Sequence, residues 1–507
     1  MLLALSTTAA FADSSHHKAN DKTPAGPVAA PKEQSKVTYG TVTIGGHGIR
    51  YKAVAGVMIL KKHDGKPFAS MSYVAYLKSD VRNPSERPVT FFYNGGPGSS
   101  TIWLHMLAFG PKRVVVGSGT LTPPAPYQLV NNNESLLDAT DMVFVDAPGT
   151  GFGRVIGKDK GGVGTPKDVY GIDPDAKAFT QFITRYLTDN SRWNSPKFLF
   201  GESYGTMRSA VLAGDLERKS VDLNGIILLS SILNFDLSVD DPQSNPGVNI
   251  SYATGLPSYT ATAWYHHKLP NQPKDLQTLL PKVEQFAMGE YLQALNRGNE
   301  LDPATKQQVA GKLHQYTGLP VAYILKDNLR ITGGQFAHEL LSDSDTTTGR
   351  LDSRYSGPSI DPMAERGYYD PLDSAIDSPT VSVFNDYVRN TLHFGDKLTY
   401  DPEIYGSMHW SWKHHGQSGT PNVMRDLANA MKFNPNMKVM LAGGYFDLGT
   451  PFYAARLEMQ QLPIPASLQK NISYHFFYSG HMVYLNPASH KKLRDAAAHF
   501  IEANYKH

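Results

Sequence analysis

Phe198-Leu199-Phe200-Gly201-Glu202-Ser203-Tyr204-Gly205 is the stretch on which the reading of this chain turns. Three apolar residues suited to a buried strand run into the pattern G-x-S-x-G, and Thr206 to Leu216 beyond it is compatible with a helix. Strand, tight glycine turn and helix together make a nucleophile elbow, the serine-bearing corner of an α/β-hydrolase sheet. The glycines are needed because the chain reverses where Cβ atoms would clash. The turn lifts the serine hydroxyl clear of the backbone and aims a helix N-terminus at developing negative charge.

Outward from the elbow, the flanking sequence keeps the same rhythm. Val89 to Tyr93 is a short apolar run ending in Asn94-Gly95-Gly96-Pro97-Gly98, and Met142 to Val145 is another ending in Asp146-Ala147-Pro148-Gly149. Phe179, Phe182, Ile183, Tyr186 and Leu187 recur with helical spacing behind the cap signal Asp173-Pro174. Ile226 to Leu229, Val439 to Leu441 and His475 to Tyr478 read as further buried strands, and Leu493, Ala496, Ala497, Phe500 and Ile501 as a closing amphipathic helix. Strands alternating with helices predict a mainly parallel sheet covered on both faces. Upstream, Thr41 to Ile44, Ile49 to Leu60 and Phe68 to Leu77, with the turn signal Asp64-Gly65, predict an antiparallel meander.

The expected organisation is a signal peptide over 1–12, a disordered linker over 13–36, an α/β-hydrolase core over 37–235 and 384–507, and an inserted cap over 236–383. Ala10-Phe11-Ala12 before Asp13 resembles a signal-peptidase site. No Lys or Arg precedes it, and the first basic residue is Lys18, as expected if the start lies too far downstream. The cap breaks the strand–helix rhythm and holds a helix-like run, Leu276 to Leu295, expected to be interrupted at Pro281.

Composition narrows the function. There are 48 Lys and Arg against 46 Asp and Glu, a net charge of +2, which implies no nucleic-acid partner. Cysteine is absent, excluding disulfides, thiolate metal sites and a cysteine nucleophile. Its absence in an exported enzyme of this size favours a bacterial, periplasmic or secreted protein. The sequons at Asn133, Asn249 and Asn471 are then accidental. No apolar stretch approaches the length of a membrane span.

The partners of an elbow serine follow it in the order acid, then histidine. Asp447, in Gly443-Gly444-Tyr445-Phe446-Asp447, and His481, in Ser479-Gly480-His481-Met482, each lie in a glycine-flanked loop after a short apolar strand. Such loops are where an open α/β sheet carries its catalytic residues. His481 is expected to take the Ser203 proton and return it to the leaving group, with Asp447 holding the imidazole. The glycines after Asn94 suit an oxyanion loop. They lack the Lys-Ser/Thr ending and the G-x-G-x-x-G spacing of phosphate loops. His409, His414 and His415, near Trp410 and Trp412, carry no metal motif such as H-E-x-x-H, so neither metal nor cofactor is expected.

With these residues in place, the chain resembles the serine carboxypeptidases. Asn94–Gly98, Gly201–Gly205 and Gly480-His481-Met482-Val483 resemble three signature segments of that family, and Asp146–Gly153 a fourth. The resemblance implies oxyanion donors at Gly96 and Tyr204, and a site for the substrate's terminal carboxylate made by Asn94, the Gly95 N–H and Glu202. Its substrates would be peptides with a free C-terminus. Three positions depart from the family: Ser99 replaces a cysteine, Phe92 a tryptophan and Ala108 a glutamate. The last two help hold the terminal carboxylate in family members, so an esterase or acyltransferase on the same scaffold is the alternative. A binding protein that has lost catalysis is a further one, disfavoured by the intact Ser203, Asp447 and His481.

Overall fold

The computed structural model describes residues 31–505. The expected signal peptide and most of the expected linker lie outside them. Nine strands form one sheet, numbered here β1 (Gln34–Ile44), β2 (His47–Lys61), β3 (Pro67–Lys78), β4 (Val89–Tyr93), β5 (Asp141–Val145), β6 (Lys197–Glu202), β7 (Gly225–Leu229), β8 (Lys438–Gly444) and β9 (Ile472–Phe477). Their spatial order is β1-β2-β3-β5-β4-β6-β7-β8-β9. The first three form the antiparallel meander, β3 joins β5 antiparallel, and the other six strands run parallel. With the helices covering both faces this is the α/β-hydrolase fold.

Strand β1 begins at Gln34, inside the segment expected as linker, because Gln34, Ser35 and Lys36 pair with Val57, Gly56 and Ala55 of β2. Polar residues on an edge strand leave no apolar trace in the sequence, yet the ladder satisfies their backbone.

The short parallel strands are apolar throughout because both faces are buried. In β4, Val89, Phe91 and Tyr93 pack with the helices α1 (Ile172–Asp189) and α2 (Tyr204–Glu217). Phe92 faces the other way, stacked against Phe144 and Phe200. Burying each such side chain contributes roughly 1.5–3 kcal/mol. Strand β4 is also the topological switch: the chain steps from it to β5 on one side, then returns through α1 to β6 on the other. The connections leaving β4 and β6 therefore run to opposite sides of the sheet, and the carboxyl ends of two such strands are where an open α/β sheet carries its site.

The segment expected as a cap contributes its own apolar cluster, with Tyr252, Leu256, Val283, Phe286 and Phe336 at its centre. Helix Leu276–Phe286 runs straight through Pro281, and the interruption comes later, in a wider turn over Ala287–Tyr291. Buried Leu280, Val283 and Phe286 hold the helix across the proline, and packing outweighs the lost hydrogen bond. Helix Pro371–Asn390 runs across residue 383 without a break. Among the described residues no helix is long and apolar enough to cross a membrane.

Candidate active site

Four loops at the carboxyl edge of the sheet carry the expected residues. Ser203 joins β6 to α2 with φ 61° and ψ −131°, a backbone state that L-residues rarely adopt. Its amide donates to the Leu229 carbonyl of the neighbouring strand at 3.0 Å, which helps hold the strained turn. A Cβ on Gly201 would lie 2.3 Å from the Gly205 carbonyl oxygen, so the elbow closes only with glycine there.

The loop after β8 supplies Asp447, which is fully buried. Its Oδ1 accepts from the amides of Gly449 (2.8 Å) and Thr450 (2.9 Å). Its Oδ2 accepts from Thr450 Oγ1 (2.7 Å) and faces His481 Nδ1 at 2.8 Å. The carboxylate is thus fixed by four bonds, one of them to the imidazole. Thr450 Oγ1 also lies 3.1 Å from His481 Nδ1. Burial pulls the His481 pKa down, but the charge and hydrogen bond of Asp447, aided by Glu202, outweigh it and the net shift is upward. Among the described residues the bond from Ser203 to His481 is not closed. Contacts between nucleophile and base often tighten only around bound substrate.

Two features of this half of the site had no local signal. Thr450 sits three residues after Asp447, an unremarkable spacing. The segment 350–354 spans the loops that carry Asp447 and His481: His481 N donates to Leu351 O (2.7 Å), Leu448 N to Arg350 O (3.0 Å) and Ser353 N to Phe446 O (2.9 Å). Partners so far apart along the chain leave no trace in a local pattern.

The loop after β4 lies directly on the elbow. A Cβ on Gly95 would be 2.4 Å from Tyr204 N and 2.8 Å from Glu202 O. Gly96 follows in a left-handed conformation, φ 98°. The amides of Gly96 and Tyr204, at the helix start, are free of backbone partners among the described residues, which leaves them available to an oxyanion. Beneath them Arg208 bonds Asp175 at 2.6 Å and the Asn94 carbonyl at 2.7 Å, both ion-pair side chains being buried. This pair ties the glycine loop, α1 and α2 together, and no sequence pattern hinted at it.

Glu202 is 1% exposed. Its Oε1 accepts from Asn94 Nδ2 (2.7 Å) and Tyr484 OH (3.3 Å), while Oε2 is buried without a partner. Burial drives its pKa up to about 7, against the lowering effects of His481, Tyr484 and Asn94. The carboxyl is therefore close to half protonated at neutral pH. Asn94 is held in turn by the Leu104 amide on its Oδ1. Phe92 and Ala108 are both fully buried. A cleft of about 760 Å³ is lined by Gly96–Ser99 at one side and by Arg350, Asp370, Asp373 and Glu403.

Residues 51–241 match the serine carboxypeptidase family model. Curated relatives with serine carboxypeptidase names align over a similar length of the chain. Serine carboxypeptidase-like 3 of Arabidopsis thaliana is 27% identical over 175 residues, 32% of this chain and 36% of that protein. Serine carboxypeptidase-like 5 of the same plant is 32% identical over 138 residues, 26% of this chain and 28% of that protein. The pheromone-processing carboxypeptidase KEX1 of Saccharomyces cerevisiae is 28% identical over 131 residues, 25% of this chain and 17% of that protein. The chain thus spans about a third or less of the curated relatives it matches. In three dimensions the likeness is wider. The crystal structure of the Saccharomyces cerevisiae prohormone-processing carboxypeptidase superposes over 90% of this chain and 91% of its own, with a TM-score of 0.56 at 16% identity, a likeness of fold. These matches support the serine carboxypeptidase family. The relatives are eukaryotic, and the expected bacterial, exported origin draws no support from them.

Proposed function

We propose that the protein is a serine-type carboxypeptidase that releases C-terminal residues from peptides through an acyl-enzyme on Ser203. The observation that carries this reading is the state of Glu202: a buried carboxyl with one oxygen bonded to Asn94 and Tyr484 and the other without a partner, next to the elbow serine. A protonated carboxyl there donates to a terminal carboxylate, and an ionised one repels it. Asn94 and the Gly95 amide complete the grip.

In the reaction, His481 removes the Ser203 proton as the hydroxyl attacks the scissile carbonyl. The oxyanion is met by the Gly96 and Tyr204 amides, and His481 then protonates the leaving amine. Asp447, fixed by its other bonds, keeps the imidazole in the productive tautomer and stabilises the imidazolium. Water repeats the attack on the acyl-enzyme.

Phe92 and Ala108 favour a second reading, esterase or acyltransferase. Neither supplies a polar atom from its side chain to a terminal carboxylate, and Phe92 is spent on packing against Phe144 and Phe200. A peptide library followed by mass spectrometry separates the two: stepwise C-terminal ladders support the carboxypeptidase, and cleavage confined to activated esters replaces it.

A further inference from the structure

Away from the catalytic loops, four titratable side chains converge from three separate segments. Asp173 lies in the first turn of α1, Asp426 in the first turn of helix Met424–Phe433, and His414 and His415 in the loop before it. His414 Nδ1 is 2.6 Å from Asp173 Oδ1, and its Nε2 is 3.0 Å from Asp426 Oδ2. His415 Nε2 is 3.1 Å from Asp426 Oδ1, and the His415 amide donates to Asp173 Oδ2 at 2.9 Å. Adjacent residues ordinarily point their side chains apart. Here a tight turn, closed by reciprocal bonds between His414 and Gln417 and with φ 49° at His415, brings the two ring centroids to 3.9 Å with their planes tilted by 35°. A left-handed backbone at a residue other than glycine persists only where its surroundings hold it.

The hydrogen-bond inventory points to a cation. His414 faces a carboxylate on both ring nitrogens, so with protons alone it must be an imidazolium. One carboxylate, Asp426, engages the Nε2 atoms of both rings. With both Nε2 positions protonated by that contact, both Nδ1 atoms are left as acceptors. One ligand atom from each of Asp173, His414 and His415 falls within 4.8 Å of the other two. Zinc binds His nitrogen and carboxylate oxygen at about 2.0–2.2 Å, which sets tetrahedral neighbours about 3.3–3.5 Å apart. The His414 Nδ1–Asp173 Oδ1 pair, now 2.6 Å apart, opens to that spacing as the ion replaces the shared proton, and side-chain rotations bring the third ligand atom, within 4.8 Å, to it. The charge balances too, since a divalent ion offsets two carboxylates with both rings neutral.

We propose that Asp173, His414 and His415 bind a divalent transition-metal ion of the zinc type, with Asp426 holding both imidazoles from behind. A carboxylate on the far ring nitrogen is the usual outer support of a metal-bound histidine. The ion takes no part in the chemistry at Ser203. It fastens the loop whose Trp410 and Trp412 pack against the Tyr204 ring, with centroids 5.2 and 6.1 Å away, and whose Ser411 carbonyl accepts from the Ile172 amide.

The test uses the full chain after chelator treatment, titrated calorimetrically with Zn²⁺ at neutral pH. One equivalent should bind to wild type. His415→Ala and Asp173→Asn should each weaken that event at least tenfold while far-UV circular dichroism stays unchanged. The chain has 18 histidines, so the difference between wild type and variants is what decides. No stoichiometric binding, or variants that bind as tightly as wild type, would leave the cluster a proton-bridged ion pair and overturn the proposal. If a variant fails to fold, X-ray absorption on the zinc-loaded wild type answers instead. Two imidazoles in the first coordination sphere support the site, and none or one overturns it.

Discussion

Replacing Glu202 by Gln tests the site most sharply, because structure and chemistry predict opposite pH trends for two observables. In the wild type the carboxyl pKa is raised from 4.5 to about 7. The protonated fraction then falls about tenfold between pH 6 and pH 8, and KM for a free-acid peptide should rise by about the same factor. A peptide amide carries no terminal charge and should show little change. In Glu202→Gln the new side-chain amide still accepts from Asn94 and Tyr484 through its carbonyl and donates at every pH, so KM for the variant should be flat. Stability moves the other way. The folded state holds this proton more tightly than the unfolded chain does. Below pH 4.5 both states are protonated and nothing is lost; from 4.5 to 7 a cost grows, and above 7 it is full. A shift of about 2.5 pH units corresponds to about 3 kcal/mol. Glu202→Gln should therefore be more stable than wild type by up to about 3 kcal/mol at pH 8, with no such gain at pH 4. Paired pH profiles of free-acid and amide peptides, with urea unfolding at both pH values, measure both. A wild-type enzyme with no preference for the free acid at any pH would refute the carboxylate-binding role. Equal stability of the two proteins at pH 8 would refute the buried, protonated carboxyl.

Ser203→Ala should lose about 10⁶ in kcat, as triad nucleophiles do, with unfolding unchanged; activity within tenfold of wild type removes Ser203 from the mechanism. Gly95→Ala puts a Cβ 2.4 Å from the Tyr204 nitrogen, a backbone atom that cannot swing aside. Misplacing an oxyanion donor should lower kcat by about 10²–10³, and a near-normal kcat in single-turnover assays would contradict this. Arg208→Ala leaves Asp175 buried and unpaired, and urea unfolding at pH 7 should show a loss of about 3–5 kcal/mol. A loss below about 1 kcal/mol would mean that the pair does not hold the elbow.

Much of this protein is legible in its sequence because the deciding signals are local. Gly201 and Gly96 are demanded by tight turns in which a Cβ would strike backbone within four residues along the chain, and doubly buried strands such as Phe198–Phe200 must be apolar throughout. Order along the chain is enough to nominate Ser203, Asp447 and His481. The edge residues Gln34 to Lys36 escape notice because a polar edge strand has no hydrophobic period. Pro281 misleads because packing of Leu280, Val283 and Phe286 overrides a local helix penalty. Contacts made across long separations are invisible: Arg208 with Asp175 and Asn94, Tyr484 on Glu202, and the segment 350–354 against the loops of Asp447 and His481. The clustering of His414 and His415 with two aspartates on different helices belongs with them. Sequence patterns record what each segment must bury or bend, since those constraints act within a few residues. Which distant polar groups meet, and so which carboxyl stays protonated, is decided only when the sheet order brings them together.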